Sequence, residues 1–109
     1  MYAIDATTDR AHEESLNTPI ASVLDQLRSS LGEKLMSFVL DDELGQNEDH
    51  ARGVFEVLLL LTARDVDAVA RAWLVGMNPM LDEMAPAELL AHGDVESVRI
   101  AARSFLITG

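Results

Sequence analysis

The chain has 109 residues, no cysteine, and 19 acids against 8 bases, for a formal net charge of −11. That length fits one domain, and the missing thiols exclude a disulfide framework, a thiolate zinc site and a cysteine nucleophile. The acidity opposes binding to phosphate backbones and anionic membranes.

The apolar set is aliphatic, with 14 Ala and 16 Leu against 9 Val and 4 Ile. Strong helix formers therefore outweigh strand formers, and the expected fold is all-α, a compact bundle of five to six short helices. No basic segment followed by an apolar run marks a signal peptide. The longest apolar run, Val57-Leu58-Leu59-Leu60-Leu61, is far short of the ~20 residues that span a bilayer. A cytoplasmic protein is expected.

Residues 1–17 are polar and lack a sustained period, which predicts a flexible N-terminal arm with a short helical turn. Thr18-Pro19 reads as a helix start, a capping hydroxyl with proline at the first helical position. Ile20, Val23, Leu24, Leu27 and Leu31 then fall on one apolar stripe. Gly32 marks a break, and Leu35, Met36, Val39 and Leu40 make a second short face. Residues 41–49 carry five acids, with Gly45 and Asn47, and read as a loop. Asp49 is expected to cap a helix to about Ala63, whose run Val57–Leu61 leaves little polar surface and predicts the central, most buried helix. Asp65 is expected to cap the next, with Val66, Val69, Ala70, Trp73 and Leu74 inward and Gly76 at its end. Asn78-Pro79 reads as a turn, and Pro86 opens a short helix that stops at His92-Gly93. Asp94 caps the last helix, with Val95, Val98, Ala102, Phe105 and Leu106 inward. The organisation is a 1–17 arm, an 18–49 helical segment and a 50–109 helical domain. The first fifty residues hold 11 acids and 3 bases, a net of −8, and the rest a net of −3.

Residue constellations give little chemistry. A calcium loop counted from Asp41 would need glycine at position six and an acid at position twelve, but Gly45 falls at five and Arg52 at twelve. His12, His50 and His92 form no His-x-x-x-His pair, and His92 before Gly93 suits a cation at a helix end. No serine sits in a nucleophile elbow and no glycine-rich phosphate loop occurs. No enzyme, no cofactor and no metal site are expected. A helix-turn-helix over residues 31–52 would place an acidic loop where bases should meet phosphates.

Trp73-Leu74, Asn78-Pro79, Pro86-Ala87-Glu88-Leu89-Leu90 and Gly93 form an ordered series of helix end, turn, proline-started helix and glycine stop. Residues 70–93 resemble the toxin-binding domain of the Xre/MbcA/ParS antitoxins, in which a Trp-Leu precedes an Asn-Pro turn, a Pro-x-x-Leu-Leu helix, a glycine and a final helix. The likeness extends over about residues 50–109. It makes Trp73, Leu74, Asn78, Pro79, Pro86, Leu89, Leu90 and Gly93 structural motif positions. The family usually has Ser or Thr where this chain has Ala85, which removes a capping oxygen worth about 1 kcal/mol. Leu31-Gly32-Glu33-Lys34-Leu35 is similar to the opening of the family's Xre-like helix-turn-helix, but the acidic loop replaces the basic recognition region, so the DNA-reading half looks degenerate.

The resemblance implies neutralisation of a RES-domain, NAD-consuming toxin by covering its active site, partly through the antitoxin's C-terminal end. It places partner contacts on Arg103, Phe105, Leu106, Ile107, Thr108 and Gly109, and implies a homodimer or hetero-oligomer. Phe105 and Leu106 have a second reading, as residues that close the bundle. Two alternatives stand beside the antitoxin: an orphan helix-turn-helix regulator, and a homo-oligomeric interaction protein without a toxin partner.

Overall fold

A computed structural model describes residues 3–40 and 47–108, with side chains from residue 8 onward. Seven α-helices and one 3₁₀ turn follow one another, with no strand among the described residues: α1 (Ala3–Asn17), α2 (Ile20–Leu31), α3 (Glu33–Val39), α4 (Glu48–Thr62), α5 (Asp67–Val75), the 3₁₀ turn (Pro79–Leu81), α6 (Pro86–Ala91) and α7 (Val95–Thr108). The fold is the expected all-α bundle with more helices than expected.

The apolar run at Val57–Leu61 explains the architecture. Ten of the fifteen residues of α4 are buried, and a stripe through Glu48, Arg52, Leu59 and Thr62 keeps contact with water, so the helix sits at the centre, packed by α1, α2, α5 and α7. Phe55, Leu60 and Leu61 are fully buried, with Leu27 of α2, Leu74 of α5 and Leu90 of α6 around them. The α2 stripe is inward as read, with Val23, Leu27 and Leu31 buried. Gly32 breaks the chain between α2 and α3 at φ +85°, a conformation that side chains other than glycine's resist. No described helix is long and apolar enough to cross a membrane.

The main difference from the sequence reading lies at the start. Residues 3–17 form a fifteen-residue helix packed on α4 rather than an arm with a short turn. Among its described side chains the buried ones are small, Ala11 and Ser15, so no large apolar residue advertises this contact. Three caps also differ. Thr18 does not cap α2; its hydroxyl donates to the Glu14 carbonyl at 2.8 Å and closes α1, while Pro19 holds the cap position. Asn47, not Asp49, caps α4 by accepting from the His50 backbone N–H at 3.2 Å. Val66 rather than Asp65 precedes α5, with no side-chain cap. Val66 and Val69 are exposed rather than inward, leaving Ala70 and Leu74 as the buried residues of α5. Asp94 caps α7 as read, accepting from the Ser97 N–H at 3.1 Å. Of the acidic 41–49 loop, residues 41–46 lie outside the described residues, and 48–49 begin α4.

A candidate protein-docking surface

The segment between α5 and α7 is held by its own backbone chemistry. Asn78 accepts from the Met80 N–H through its side chain at 2.9 Å, and its carbonyl accepts from Leu81 and Glu83, both at 2.9 Å. Pro79 stands at the first position of the turn, where its missing N–H costs nothing. Leu81 is buried against α7 and anchors the turn there.

After it, Ala85 holds extended cap geometry at the head of α6 without a capping oxygen, as its residue type predicts. The end of α6 closes with paired bonds, Gly93 N–H to the Leu90 carbonyl at 3.0 Å and Asp94 N–H to the Leu89 carbonyl at 2.9 Å. That Schellman pattern needs a left-handed residue, and Gly93 supplies it at φ +89°.

The 3₁₀ turn therefore stands as a ridge on α7 with a groove on either side, and Met80 and Ala101 line both. The first groove gathers residues from both parts of the sequence motif. Trp73, Asn78 and Pro79 line one wall; Ser104, Phe105 and Thr108 line the other. Trp73 and Phe105 meet across it with ring centroids 5.9 Å apart and planes at 48°, a tilted geometry worth about 0.5–1.5 kcal/mol beyond area burial. Both rings are half-buried. Met77 and Met80 make its rim apolar and solvent-facing, and Ile107 is exposed near the end of α7.

The expected partner residues divide by position. Leu106 is buried in the core and its carbonyl accepts from Arg64 Nη1 at 2.6 Å; it closes the bundle and is corrected from a contact residue to a packing residue. Phe105 both packs and lines the groove, Ile107 projects outward, and Thr108 sits in the groove wall with its hydroxyl on the Ser104 carbonyl. Arg103 is half-buried one turn before the end. Gly109 lies outside the described residues. Leu74 and Leu90 are buried, Leu89 and Trp73 half-buried, and Pro86 is buried at the head of α6.

The sequence reading missed Met77, Met80 and Ile100 as exposed apolar residues. It also missed a polar cluster on the far side of α7. Glu56, in the middle of α4, is 2% exposed, and its Oε1 lies 3.2 Å from His12 Nδ1 and 3.3 Å from Arg99 Nε. Arg99 reaches Glu96 as well. His50 is also buried, and its Nε2–H donates to the Val39 carbonyl at 2.9 Å, joining α4 to α3. Among the described residues no group of His, Asp and Glu is arranged to hold a metal ion.

Compared with protein-family models, curated proteins and solved structures, the chain gives no match.

Proposed function

We propose that this protein is an antitoxin-like binding module that neutralises a RES-domain, NAD-consuming toxin by covering its active site. The reading places it in the cytoplasm, as a homodimer or in a hetero-oligomer with the toxin, and gives it no catalytic residue and no cofactor. One observation supports it above the rest. Trp73 with the Asn78-Pro79 turn, and Ser104, Phe105 and Thr108 some 25 residues further on, converge on a single groove joined by the Trp73–Phe105 pair. A cleft that accepts the NAD pyrophosphate is basic, and a chain of net charge −11 is steered onto it.

The test is co-expression with a RES-domain toxin, following growth and cellular NAD. The expected outcome is that NAD is preserved by the parent chain and lost with Met77→Asp/Ile107→Asp, a pair that alters only exposed side chains. Equal NAD depletion with and without the parent chain refutes the reading.

A further inference from the structure

On the other side of the ridge, a second groove runs between the 3₁₀ turn and α7. Its floor is Leu81, Leu89 and Ala101, and its rim carries Met80, Met84 and Ile100. Met80 and Ile100 are 56% and 50% exposed, so the rim is apolar surface left uncovered by the described residues. Methionine side chains are flexible and polarizable and adapt to an incoming apolar face.

The charge at this groove has one sign. Asp82 and Asp94 line it and no base does. Glu83 follows Asp82 and is exposed. Arg99, the nearest base along α7, is turned to Glu56 and Glu96 on the opposite side. The backbone adds a second sign of specialisation. Asp82 and Glu83 are consecutive left-handed residues, at φ +54° and +68°, and are the described non-glycine residues in that region. Glycine would adopt that conformation without strain; here two acidic residues occupy it, and the first of them, Asp82, lines the groove.

We infer that this groove docks a basic amphipathic helix of a partner protein, with apolar side chains along the Met80–Met84–Ile100 rim and Lys or Arg against Asp82, Glu83 and Asp94. The match is one of charge and shape: an apolar trough between a turn and a helix receives one face of a helix, and acids along it select a cationic flank. The proposal goes beyond the antitoxin reading and stands without it, because it uses the opposite wall of the ridge.

A Leu/Lys peptide designed as an amphipathic helix of about 14 residues is the probe, titrated into protein carrying labelled methionine methyls and followed by NMR. Met80 and Met84 are expected to shift while Met36, on α3, stays still. Met80→Ser/Ile100→Ser is expected to weaken binding about tenfold through lost apolar contact. Asp82→Asn/Glu83→Gln is expected to weaken it by a similar factor at low salt, with the difference shrinking as salt is raised. Asparagine tolerates the left-handed region, so melting temperatures of that pair should stay at the parent value, and Val66→Ser, remote on the surface, should bind as the parent does. The inference is overturned by equal affinity for the peptide with Glu in place of Lys, or by groove variants that remain folded and bind normally. Concentration-dependent shifts of Met80 and Met84 without peptide also overturn it, in favour of a second copy of the chain as occupant.

Discussion

Glu56 is the described carboxylate that lies buried in the core, flanked in sequence by Phe55 and Val57, both fully buried. Burying a carboxylate is costly unless paired, and this one is paired from two directions: His12 reaches it from α1 and Arg99 from α7. Its second oxygen, Oε2, has no partner. The residue therefore ties three helices by ionic contact at the point where a leucine would tie them by packing. Glu56→Gln keeps the shape and removes the charge that both partners address. It is expected to lower stability by about 1–3 kcal/mol in urea unfolding, with no change in helix content. His12 is half exposed, so His12→Ala should cost less than half as much. Equal costs for the two would mean that the His12 contact, not the Arg99 contact, carries the cluster.

Between elements, the close approach of α4 and α7 rests on Gly53. A Cβ built there would lie 2.8 Å from one Val95 methyl and 3.3 Å from the other. Valine in a helix has one strongly preferred rotamer, so turning Val95 does not relieve the clash and the helices must part. Alanine gains about 1 kcal/mol of helix propensity over glycine. Gly53→Ala is nevertheless expected to destabilise by about 1–2 kcal/mol, the usual cost of overpacking. In a Val95→Ala background the same change should become stabilising, and a chemical denaturation series of the four proteins checks the reversal of sign. The sequence shows what is local at this scale. The α2 stripe, the buried α4, the Gly76 and Gly93 stops and the Asp94 cap all follow from side-chain period and cap chemistry. What it hides is competition between neighbours: Asn47 two residues before Asp49 takes the α4 cap, and Thr18 bonds backward to Glu14 rather than forward. The docking surface divides in the same way. The Asn-Pro turn and its proline-started helix are written in consecutive residues. The meeting of Trp73 with Phe105 depends on how α5 and α7 pack, and Met80 and Ile100 look in sequence like any core residue.

Across the whole molecule, five of the eight bases are engaged with the protein itself. Arg52 Nη1 donates to the Ser15 and Thr18 carbonyls at 2.9 and 2.6 Å. Arg64 donates to Leu106 at the end of α7, and Arg71 to Ser30 near the end of α2. Each guanidinium thus sits on carbonyls at or just past a helix C-terminus, where the helix leaves acceptors unpaired and its dipole favours a cation. Arg28 pairs with Asp25 and Glu33, and Arg99 with Glu56 and Glu96. Few bases are left to face a nucleic acid, which counts against the helix-turn-helix regulator and leaves the outer surface strongly acidic.

The same fasteners explain why α1 escapes a reading by composition. It is held by Ala11, Ser15, the His12–Glu56 pair and the Arg52 clamp, all of them contacts with residues more than thirty positions away or with small side chains. Arg52→Gln removes the two carbonyl contacts together with the Arg52–Glu48 pair on α4, an i,i+4 pair of the kind worth only about 0.3–0.5 kcal/mol. Hydrogen exchange is the measurement that separates local from global opening. In the parent, the amides of residues 12–17 should be protected together with those of α4. In Arg52→Gln they should exchange about tenfold faster, the loss of roughly 1.4 kcal/mol that two charge-assisted bonds to carbonyls make reasonable, while α5 and α7 keep their parent rates. Unprotected amides over 12–17 in the parent would mean that α1 does not stay docked in solution, and a uniform acceleration across all helices would mean that Arg52 stabilises the bundle as a whole rather than its first helix.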